Sequence, residues 1–316
     1  MVAPKSNGNT VANAPAAPYA ACRMTPRSIL ITGCSSGIGY TCALGMKARG
    51  WRVFATARND SDLARLRQEG LEVVHLDYSQ PKSIEACANA VLEATDRRLF
   101  AVFNNGGYGQ PGAVEDLTTD VLRAQFETNV FGWHDLTRRL IPAMRTNGAG
   151  RIVQCSSVLG FVALKWRGAY SASKFAVESL SDTMRIELKG SGVQVSVIEP
   201  GPIRSRFQEH ALAHFKANID IENSVHREDY ADLVGKGESL IAQANWGYER
   251  PGKRGSRSLL PRYRLGPDAV LAKLVHAVES ANPKPRYRVT SATHAMAVAR
   301  RVLPARALDV LARYVS

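Results

Sequence analysis

No stretch of the sequence approaches the roughly 18 uninterrupted apolar residues that a membrane-spanning helix needs. Cysteine is also scarce: the five residues are an odd number, and no two of them stand at metal-ligand spacing. These features argue against a disulfide-stabilised secreted domain and against a zinc site. Free thiols in a reducing cytosol are the simplest account, so we predict a cytoplasmic protein that holds no metal.

Acidic residues are too few to balance the basic ones, since 28 Asp and Glu accompany 41 Lys and Arg and leave a formal net charge of +13. Much of the surplus follows Arg204. Such a surplus can attract nucleic acid, anionic lipid or anionic substrates, and it can also be a solvated face. Nothing near it supplies the stacking aromatics or recognition helix of a nucleic-acid reader, so no nucleic-acid partner is predicted.

Short apolar runs alternate with helical patterns between Ser28 and Pro200. The runs are mostly β-branched and aromatic and are bounded by turn residues, which is typical of strands buried on both faces. The predicted strands are Ser28–Ile31, Arg52–Ala57, Glu72–Asp77, Leu99–Asn104, Arg151–Cys155 and Gln194–Glu199. The helical stretches include Gly37–Arg49, Pro81–Thr95, Thr118–Arg145 and Tyr170–Lys189. This alternation predicts an α/β fold: a single Rossmann-type, doubly wound parallel sheet of about seven strands with helices on both faces.

The regular alternation breaks after Pro200. Residues 205–265 carry helical fragments and a loop rich in Gly, Arg and Pro. A helix at Pro267–Ser280 and a last strand at Arg286–Thr290 follow, and we expect that strand to extend the sheet at its edge. We interpret residues 205–265 as an insertion over the carboxyl edge of the sheet, where ligands bind in this architecture.

Three parts of the chain follow from these patterns. Residues 1–26 are rich in Ala, Asn, Pro and Gly and lack the compact apolar segment of a secretory signal, so we expect a disordered leader. Residues 27–291 form one catalytic domain that includes the insertion. Residues 292–316 form a basic, amphipathic C-terminal tail.

A glycine-rich motif connects the first predicted strand to the first helix. Glycines at this G-x-x-x-G-x-G spacing let the backbone turn tightly and approach a pyrophosphate, and the helix N-terminus offers free N–H groups. A structural turn alone could explain a glycine cluster, but this one has the strand and the helix that a dinucleotide site requires. The predicted cofactor contacts here are Gly33, Ser35, Ser36, Gly37, Ile38 and Gly39.

The ends of the second and third strands bear on which nucleotide is bound. An NAD enzyme carries an acidic residue near the end of the second strand, but this chain has Arg58 there. An arginine can pair with a 2′-phosphate, so NADP(H) is predicted over NAD(H); in the alternative, Arg58 is a surface charge and Asp60 binds the ribose. Asp77, after the third strand, is either an acceptor for the adenine amino group or a turn residue.

Tyr170 and Lys174 stand four residues apart on a predicted helix, so their side chains share one face. A tyrosine with a pKa near 10 is a poor base at neutral pH, and a neighbouring ammonium is expected to lower that pKa. Such a pair is usually an ordinary feature of a helix surface. Ser157, which lies thirteen residues upstream at the end of a strand, favours a catalytic role for the pair over an ordinary surface position. Ser156 is the alternative candidate for the serine of the site.

These motifs together resemble the short-chain dehydrogenase/reductase family, and the match covers about Ser28 to Ile203. The motifs that carry it are the glycine motif, Asn104-Asn105-Gly106-Gly107, Asn129, Ser157, Tyr170-x-x-x-Lys174 and Pro200-Gly201. Two departures are small: Asn-Asn-Gly-Gly replaces the usual Asn-Asn-Ala-Gly, and Ser205 stands where threonine is common.

The resemblance implies an oxidoreductase that moves a hydride between a nicotinamide and a carbonyl or alcohol. Tyr170 would exchange the proton, Lys174 would lower the tyrosine pKa and bind the nicotinamide ribose, Ser157 would hold the substrate oxygen, and Asn129 would support a proton relay. Further implied cofactor contacts are Asn105, Gly106, Pro200, Gly201, Ile203 and Ser205, besides Tyr170 and Lys174. Family members are commonly homodimers or homotetramers.

The C-terminal region resembles one branch of the family more loosely. That branch contains bacterial aldehyde reductases and enzymes similar to 17β-hydroxysteroid and retinol dehydrogenases, which act on bulky apolar substrates. The resemblance rests on the segment Pro283–Thr290 and a basic amphipathic helix near His294–Tyr314, which we expect Pro304 to bend or split. The helix predicts either peripheral membrane contact or docking on the enzyme's own substrate lobe or a partner subunit.

Three functions therefore stand as hypotheses. The first is an NADP(H)-dependent reductase or dehydrogenase for a small-molecule aldehyde, ketone or alcohol, with a bulky apolar substrate. The second is a hydroxysteroid or retinoid dehydrogenase, which differs in the size of the pocket that residues 205–265 form. The third is a catalytically silent nucleotide sensor, against which the complete set of Asn129, Ser157, Tyr170 and Lys174 argues.

Overall fold

Seven parallel strands form the centre of the molecule in a computed structural model, which describes residues 27–243 and 264–315. The strands are β1 Ser28–Ile31, β2 Arg52–Ala57, β3 Glu72–His75, β4 Ala101–Asn104, β5 Gly150–Cys155, β6 Val193–Glu199 and β7 Arg286–Arg288. Their order is β3-β2-β1-β4-β5-β6-β7, and every neighbouring pair is parallel. The order reverses between β1 and β4, which opens a crevice at the carboxyl ends of these strands. The predicted doubly wound sheet, with its last strand at the edge, is confirmed.

Helices cover the sheet, and their apolar sides explain where they pack. They are α1 Gly37–Ala48, α2 Asp60–Gln68, α3 Pro81–Ala94, α4 Thr119–Phe126, α5 Gly132–Thr146, α6 Gly168–Glu187, α7 Phe207–Asn218, α8 Arg227–Gln243, α9 Asp268–Glu279, α10 Ser291–Val302 and α11 Ala305–Val315. Helix α1 packs against α9, and α3 packs against α5. Helix α3 begins with Pro81, at a position where the missing N–H costs nothing, and Thr118 caps α4 by accepting from the N–H of Val121.

Helices α4 and α5 form one run that is interrupted by a single wide turn of π-helix, Glu127–Phe131. The sequence predicted one uniform helix over this range. The extra residue in a π turn rotates the side chains that follow it, and such turns are frequent at functional sites. Asn129, fully buried, lies in this turn.

The predicted insertion contains α7 and α8, which build a small second core over the carboxyl edge of the sheet. Its buried apolar members are Ala113, Phe215, Ile219 and Tyr230. The Tyr230 hydroxyl donates to the Asp116 carboxylate and accepts from the N–H of Ala113 at 2.8 Å. The lobe is therefore fixed to the loop that follows β4.

The C-terminal helices confirm the expected break, since α10 ends before Pro304 and α11 begins after it. Thr293 and Ala297 are buried, so α10 is docked on the catalytic domain although the predicted domain boundary places it in the tail. None of the helices that the structure describes is long and apolar enough to cross a membrane. The predicted leader, residues 1–26, and most of the Gly-, Arg- and Pro-rich loop lie outside the described residues.

The described cysteines are all buried free thiols, as the sequence predicted: Cys34, Cys42, Cys87 and Cys155. Burial raises the pKa of Cys155 to about 11, although the neighbouring Lys174 lowers it. These thiols therefore stay protonated at neutral pH and fill the core.

Candidate active site

The crevice between β1 and β4 holds two loops in close contact. Gly33 has a φ of 69°, and a Cβ there would lie 2.5 Å from the Cα of Gly106. The hydroxyl of Thr32 accepts from the N–H groups of Asn105 at 2.9 Å and Gly106 at 3.1 Å. The amide of Asn105 donates in turn to the carbonyl of Thr32 at 3.0 Å. The predicted residues Gly33, Asn105 and Gly106 are thus together, locked by a threonine that the sequence analysis did not single out.

The first turn of α1 is built to receive an anion. Ser36, the N-cap residue, makes no side-chain capping hydrogen bond, so the first-turn N–H groups around Gly37, Ile38 and Gly39 can donate to a phosphate. A Cβ at Gly39 would lie 2.2 Å from the carbonyl oxygen of Gly33, so only glycine fits there. The residues present fit the pyrophosphate of a dinucleotide.

Two further predicted contacts lie beside the glycine motif. A Cβ on Gly37, whose φ is 56°, would lie 2.9 Å from the Cβ of Ser205, which shows how near that hydroxyl is to the motif. The carbonyl of Ser35 accepts from Nη2 of Arg65 at 2.6 Å. Arg65 therefore brings a positive charge to the motif from α2, a position that no sequence pattern marked.

Pro200 and Gly201 follow β6 at the same edge. The carbonyl of Pro200 accepts from the N–H of Val158 at 2.8 Å, which ties this strand end to the loop after Ser157. A Cβ on Gly201 would lie 2.1 Å from the hydroxyl oxygen of Thr290 and 2.7 Å from that of Thr293. Gly201 is thus packed tightly on the start of α10, while Ile203 pairs with Leu265.

The residues predicted to contact the adenosine part of the cofactor, and so to determine whether NADP(H) or NAD(H) binds, lie on one side of the crevice. Arg58 is exposed at the end of β2. Burial lowers the pKa of His214 in α7, and the positive charge of Arg58 lowers it further. Asp60, the alternative ribose ligand, is the first residue of α2. The Oδ1 atom of Asp77 accepts from the backbone N–H of Ser79 at 2.9 Å and from its hydroxyl at 2.7 Å. Asp77 therefore stabilises a turn, and its contact with adenine stays a prediction.

Lys174 lies on the buried face of α6, with 3% of its surface exposed. Its ammonium donates to the carbonyl of Cys155 at 2.8 Å and lies 4.1 Å from the ring centroid of Trp133 and 5.6 Å from that of Tyr170. Burial lowers the pKa of Lys174 to about 8, while the neighbouring Cys155 and Glu178 raise it. The amine is therefore charged at neutral pH and close to its titration range.

Ser157 lies close enough to Tyr170 for its hydroxyl to lower the tyrosine pKa, and it accepts from the N–H of Leu159 at 3.1 Å. Desolvation of the hydroxyl, followed by the nearby Cys155, raises the pKa of Tyr170 far above its ordinary value, and the Ser157 hydrogen bond and the charge of Arg167 only partly offset this. The predicted lowering of the tyrosine pKa therefore disagrees with the structure, in which the pKa of Tyr170 is raised. Lys174 directs its ammonium at the Cys155 carbonyl, and the hydroxyl of Tyr170 keeps its proton at neutral pH.

Asn129 uses its whole side chain within the protein. Its Oδ1 accepts from the N–H of Tyr108 at 3.2 Å, and its Nδ2 donates to the carbonyl of Tyr108 at 2.9 Å and to the hydroxyl of Ser173 at 3.2 Å. Ser173 in turn donates to the carbonyl of Tyr170 at 2.7 Å. Asn129 is thus connected to the tyrosine helix, and its part in a proton relay stays a prediction.

Three aromatic residues complete the site and were not predicted. Trp133 donates from its indole N–H to the carbonyl of Gly106 at 2.6 Å and presents its ring to Lys174. Phe207, at the start of α7, lies with its ring 5.3 Å from the ring of Tyr170. Tyr108 stacks on His214 at 4.2 Å. The four-residue spacing from Asn129 to Trp133 was a usable signal, whereas the other two contacts depend on how α7 crosses the crevice.

Comparison with known proteins agrees with this geometry. Residues 27–214 match the family model described as short chain dehydrogenase. The oxidoreductase YbbO of Escherichia coli is 40% identical over 287 residues, which are 91% of this chain and 94% of that protein. The chain belongs to the short-chain dehydrogenase/reductase family. It is accordingly an NAD(P)-dependent dehydrogenase or reductase. Human retinol dehydrogenase 16 is 33% identical over 269 residues, 82% of this chain and 79% of that one.

Solved structures of the family show the same architecture. A short-chain dehydrogenase from Streptomyces avermitilis aligns with a TM-score of 0.70 at 28% identity, over 88% of this chain and 93% of its own. One from Burkholderia phymatum, in complex with NAD, aligns with a TM-score of 0.68 at 26% identity, over 91% and 95%. An alcohol dehydrogenase from Thermococcus sibiricus, complexed with 5-hydroxy-NADP, aligns with a TM-score of 0.53 at 25% identity, over 58% and 79%. Both nucleotides therefore occur among the relatives.

Proposed function

We propose that this enzyme reduces bulky, apolar aldehydes or ketones with NADPH. The observation that carries the proposal is the arrangement of Tyr170, Ser157 and Lys174 at the mouth of a dinucleotide crevice, with the aromatic ring of Phe207 against Tyr170. Tyr170 holds a transferable proton, Ser157 can fix the substrate oxygen, and Phe207 provides an apolar surface for the substrate body.

The residues divide the chemistry between them. When bound, the nicotinamide supplies the hydride. Tyr170, protonated at neutral pH, donates its proton to the carbonyl oxygen as negative charge develops there. Ser157 donates a hydrogen bond to the same oxygen, and Lys174 supplies the positive charge that stabilises the phenolate left behind. Pro200 and Gly201 would border the nicotinamide when the cofactor is bound.

The preference for NADPH rests on Arg58. The guanidinium of Arg65 lies at the glycine motif, where it donates to the Ser35 carbonyl at 2.6 Å and pairs with Asp62 at 2.9 Å. A charge-assisted hydrogen bond to a phosphate is worth about 1.5–3 kcal/mol, which corresponds to roughly 10- to 150-fold in affinity. We expect Arg58→Ala to weaken NADPH binding by a factor in this range and to leave NADH binding unchanged, as measured by fluorescence titration. An equal loss for both nucleotides would show that Arg58 does not read the 2′-phosphate.

The substrate class is tested by following NADPH consumption with short and long aliphatic aldehydes, aromatic aldehydes, ketosteroids and retinal. We expect bulky apolar carbonyls to give the highest kcat/KM, and Tyr170→Phe to abolish turnover while NADPH still binds. Selective turnover of ketosteroid or retinal would favour the hydroxysteroid or retinoid dehydrogenase. Cofactor binding without reduction of any carbonyl would favour the nucleotide sensor.

We also propose that the enzyme is cytoplasmic and that its C-terminal helices touch an anionic membrane surface. Val298 and Val302 on α10 are 61% and 68% exposed, opposite the docked Thr293 and Ala297, and arginines flank them. One face of α10 is therefore docked on the catalytic domain, and the opposite face remains exposed for contact with a membrane surface. Sedimentation with phosphatidylglycerol-containing vesicles, but not with phosphatidylcholine alone, and its loss in Val302→Asp, would support the contact.

A homodimer through α5 and α6 is the assembly that we propose. Phe131, at the end of the π turn, and Phe175 and Leu180, on α6, are large apolar side chains that remain exposed. Burying such residues between two copies is favourable in proportion to the apolar area removed from water. Light scattering of the full chain, with Phe175→Asp as the disrupting variant, tests this: a monomeric parent would refute the proposal.

A further inference from the structure

A cluster of charged side chains lies directly behind the active site. Lys174, Glu178 and Asp182 follow one another at four-residue spacing on α6, so they occupy one face of the helix. Glu199, 1% exposed, is the last residue of β6 and immediately precedes Pro200 and Gly201. The helix of the proton donor and the strand end of the cofactor site thus each present carboxylates to the same place.

Arg286 on β7 joins these two elements. Its Nη2 lies 3.1 Å from Oε2 of Glu178 and 2.5 Å from Oδ2 of Asp182, both on α6. Its Nε lies 3.1 Å from Oε1 of Glu199 on β6. One planar guanidinium therefore contacts both elements at once, which the single ammonium of a lysine is poorly shaped to do.

The residues that follow Arg286 also contact the end of β6 and the residues after it. Arg288 contacts the second carboxylate oxygen of Glu199 at 3.2 Å. Thr290 then meets Gly201 so closely that a Cβ on the glycine would lie 2.1 Å from the threonine hydroxyl. The edge strand and the residues after it therefore hold both Glu199 and Gly201, on either side of Pro200.

A buried cluster of ion pairs is weak evidence for a role in stability. Removing charges from water costs free energy that ion pairing often only just repays, and apolar side chains would frequently hold the same elements as well. A guanidinium fork between two elements fixes their relative position more narrowly than apolar contact does. Here the fork joins the helix that carries Lys174 to the strand end that precedes Pro200 and Gly201.

We propose that Arg286 is a positioning residue for hydride transfer, which holds the helix of Tyr170 and Lys174 at a fixed distance from Pro200 and Gly201. This inference rests on the proposed function. A misplacement of about 1 Å between reacting groups can cost on the order of 100-fold in rate. Loss of Arg286 should therefore slow the hydride step in protein that remains folded.

The test compares Arg286→Met and Arg286→Lys with the matched control Arg49→Met. Arg49 forms an ion pair with the single carboxylate of Glu279, at 2.5 Å, at the end of α1 opposite the glycine motif. We expect Arg286→Met to lower kcat by between about 10- and 100-fold and to raise the deuterium isotope effect on kcat with NADPH labelled at the transferred hydrogen. Arg286→Lys should fall between parent and Met, and Arg49→Met should match the parent.

A second readout needs no turnover. Hydrogen exchange of the protein alone should quicken at the backbone amides of Glu199, Gly201 and Ile203 in Arg286→Met and not in Arg49→Met. Should Arg286→Met fail to fold, Arg286→Lys and Glu178→Gln carry the same comparison from the two sides of the contact. A folded Arg286 variant with the parent's kcat, isotope effect and exchange would overturn the inference, whereas a parent without carbonyl turnover would overturn the proposed function instead.

Discussion

The ring of Trp133 offers a direct way to test how the site controls the charge of Lys174. The ammonium lies 4.1 Å from the ring centroid, within the range in which an aromatic face stabilises a cation. In Trp133→Leu this stabilisation is lost, whereas Trp133→Phe keeps an aromatic face. Both variants lose the indole N–H that donates to Gly106 at 2.6 Å, so the pair of variants separates the ring from the hydrogen bond.

The size of the effect follows from the burial of the amine. A desolvated cation–π contact is worth about 1–2 kcal/mol, and about 1.4 kcal/mol corresponds to one pKa unit. The pKa of Lys174, which burial has already lowered to about 8, should therefore fall to roughly 7 in Trp133→Leu. Because the charged amine is the active form, half of the activity at neutral pH should be lost, and more at higher pH.

The assay is the dependence of kcat on pH for parent, Trp133→Phe and Trp133→Leu, at saturating NADPH and below the unfolding temperature of each variant. We expect the alkaline limb to move down by about one pH unit in the leucine variant and by much less in the phenylalanine variant. A leucine variant with an unmoved limb, or one moved to higher pH, would refute the argument that the ring stabilises the ammonium.

Three further predictions concern the glycine motif after β1, the buried carboxyl group of Glu199 and the lobe that α7 and α8 form. Gly39→Ala should abolish NADPH binding in a fluorescence titration, because its Cβ would lie 2.2 Å from the carbonyl oxygen of Gly33. Unchanged affinity would contradict the proposal that the glycine motif binds the cofactor. Burial, followed by the nearby Glu178, raises the pKa of Glu199 from 4.5 to about 7, so its contribution to stability is present below pH 4.5 and is lost as the pH rises through 7. Between pH 5 and 7 the free energy of unfolding, measured with urea, should therefore fall by roughly 1–3 kcal/mol less in Glu199→Gln than in the parent. An equal fall in both proteins would count against this. Tyr230→Phe should cost about 1–3 kcal/mol of unfolding free energy by calorimetry, since the N–H of Ala113 loses its partner; a loss below about 0.5 kcal/mol would show that the lobe does not depend on it.

The sheet could be predicted from the sequence because each strand is an apolar run that the fold buries on both faces. The strands β1 and β2 agree with the prediction at both ends, and each of the others differs by one or two residues at one end. The edge strand β7 ends at Arg288 rather than at Thr290, since Thr290 leaves the sheet to cap α10. Strand ends of this kind are set by tertiary contacts, which local patterns do not contain.

The site was predictable where the chemistry requires particular residues at fixed spacing. The glycines after β1 and the Tyr170–Lys174 pair are of this kind, and the structure brings them to one crevice. The hydroxyl of Thr32 was not predictable, because its role depends on β1 and β4 being neighbours although they are about 70 residues apart. The π turn around Asn129 was also missed, since its sequence fits an ordinary helix equally well.

The largest difference concerns Tyr170, and it bears on how the enzyme works. A tyrosine and a lysine on one helix face suggest a lowered tyrosine pKa, but the fold surrounds the hydroxyl with Cys155, Ser157 and the lobe helix that carries Phe207. Desolvation of the hydroxyl then outweighs the lowering effects of Ser157 and Arg167, while the ammonium of Lys174 donates to the carbonyl of Cys155. The hydroxyl therefore keeps its proton at neutral pH, and the protonated form is the one that a proton donor needs in carbonyl reduction.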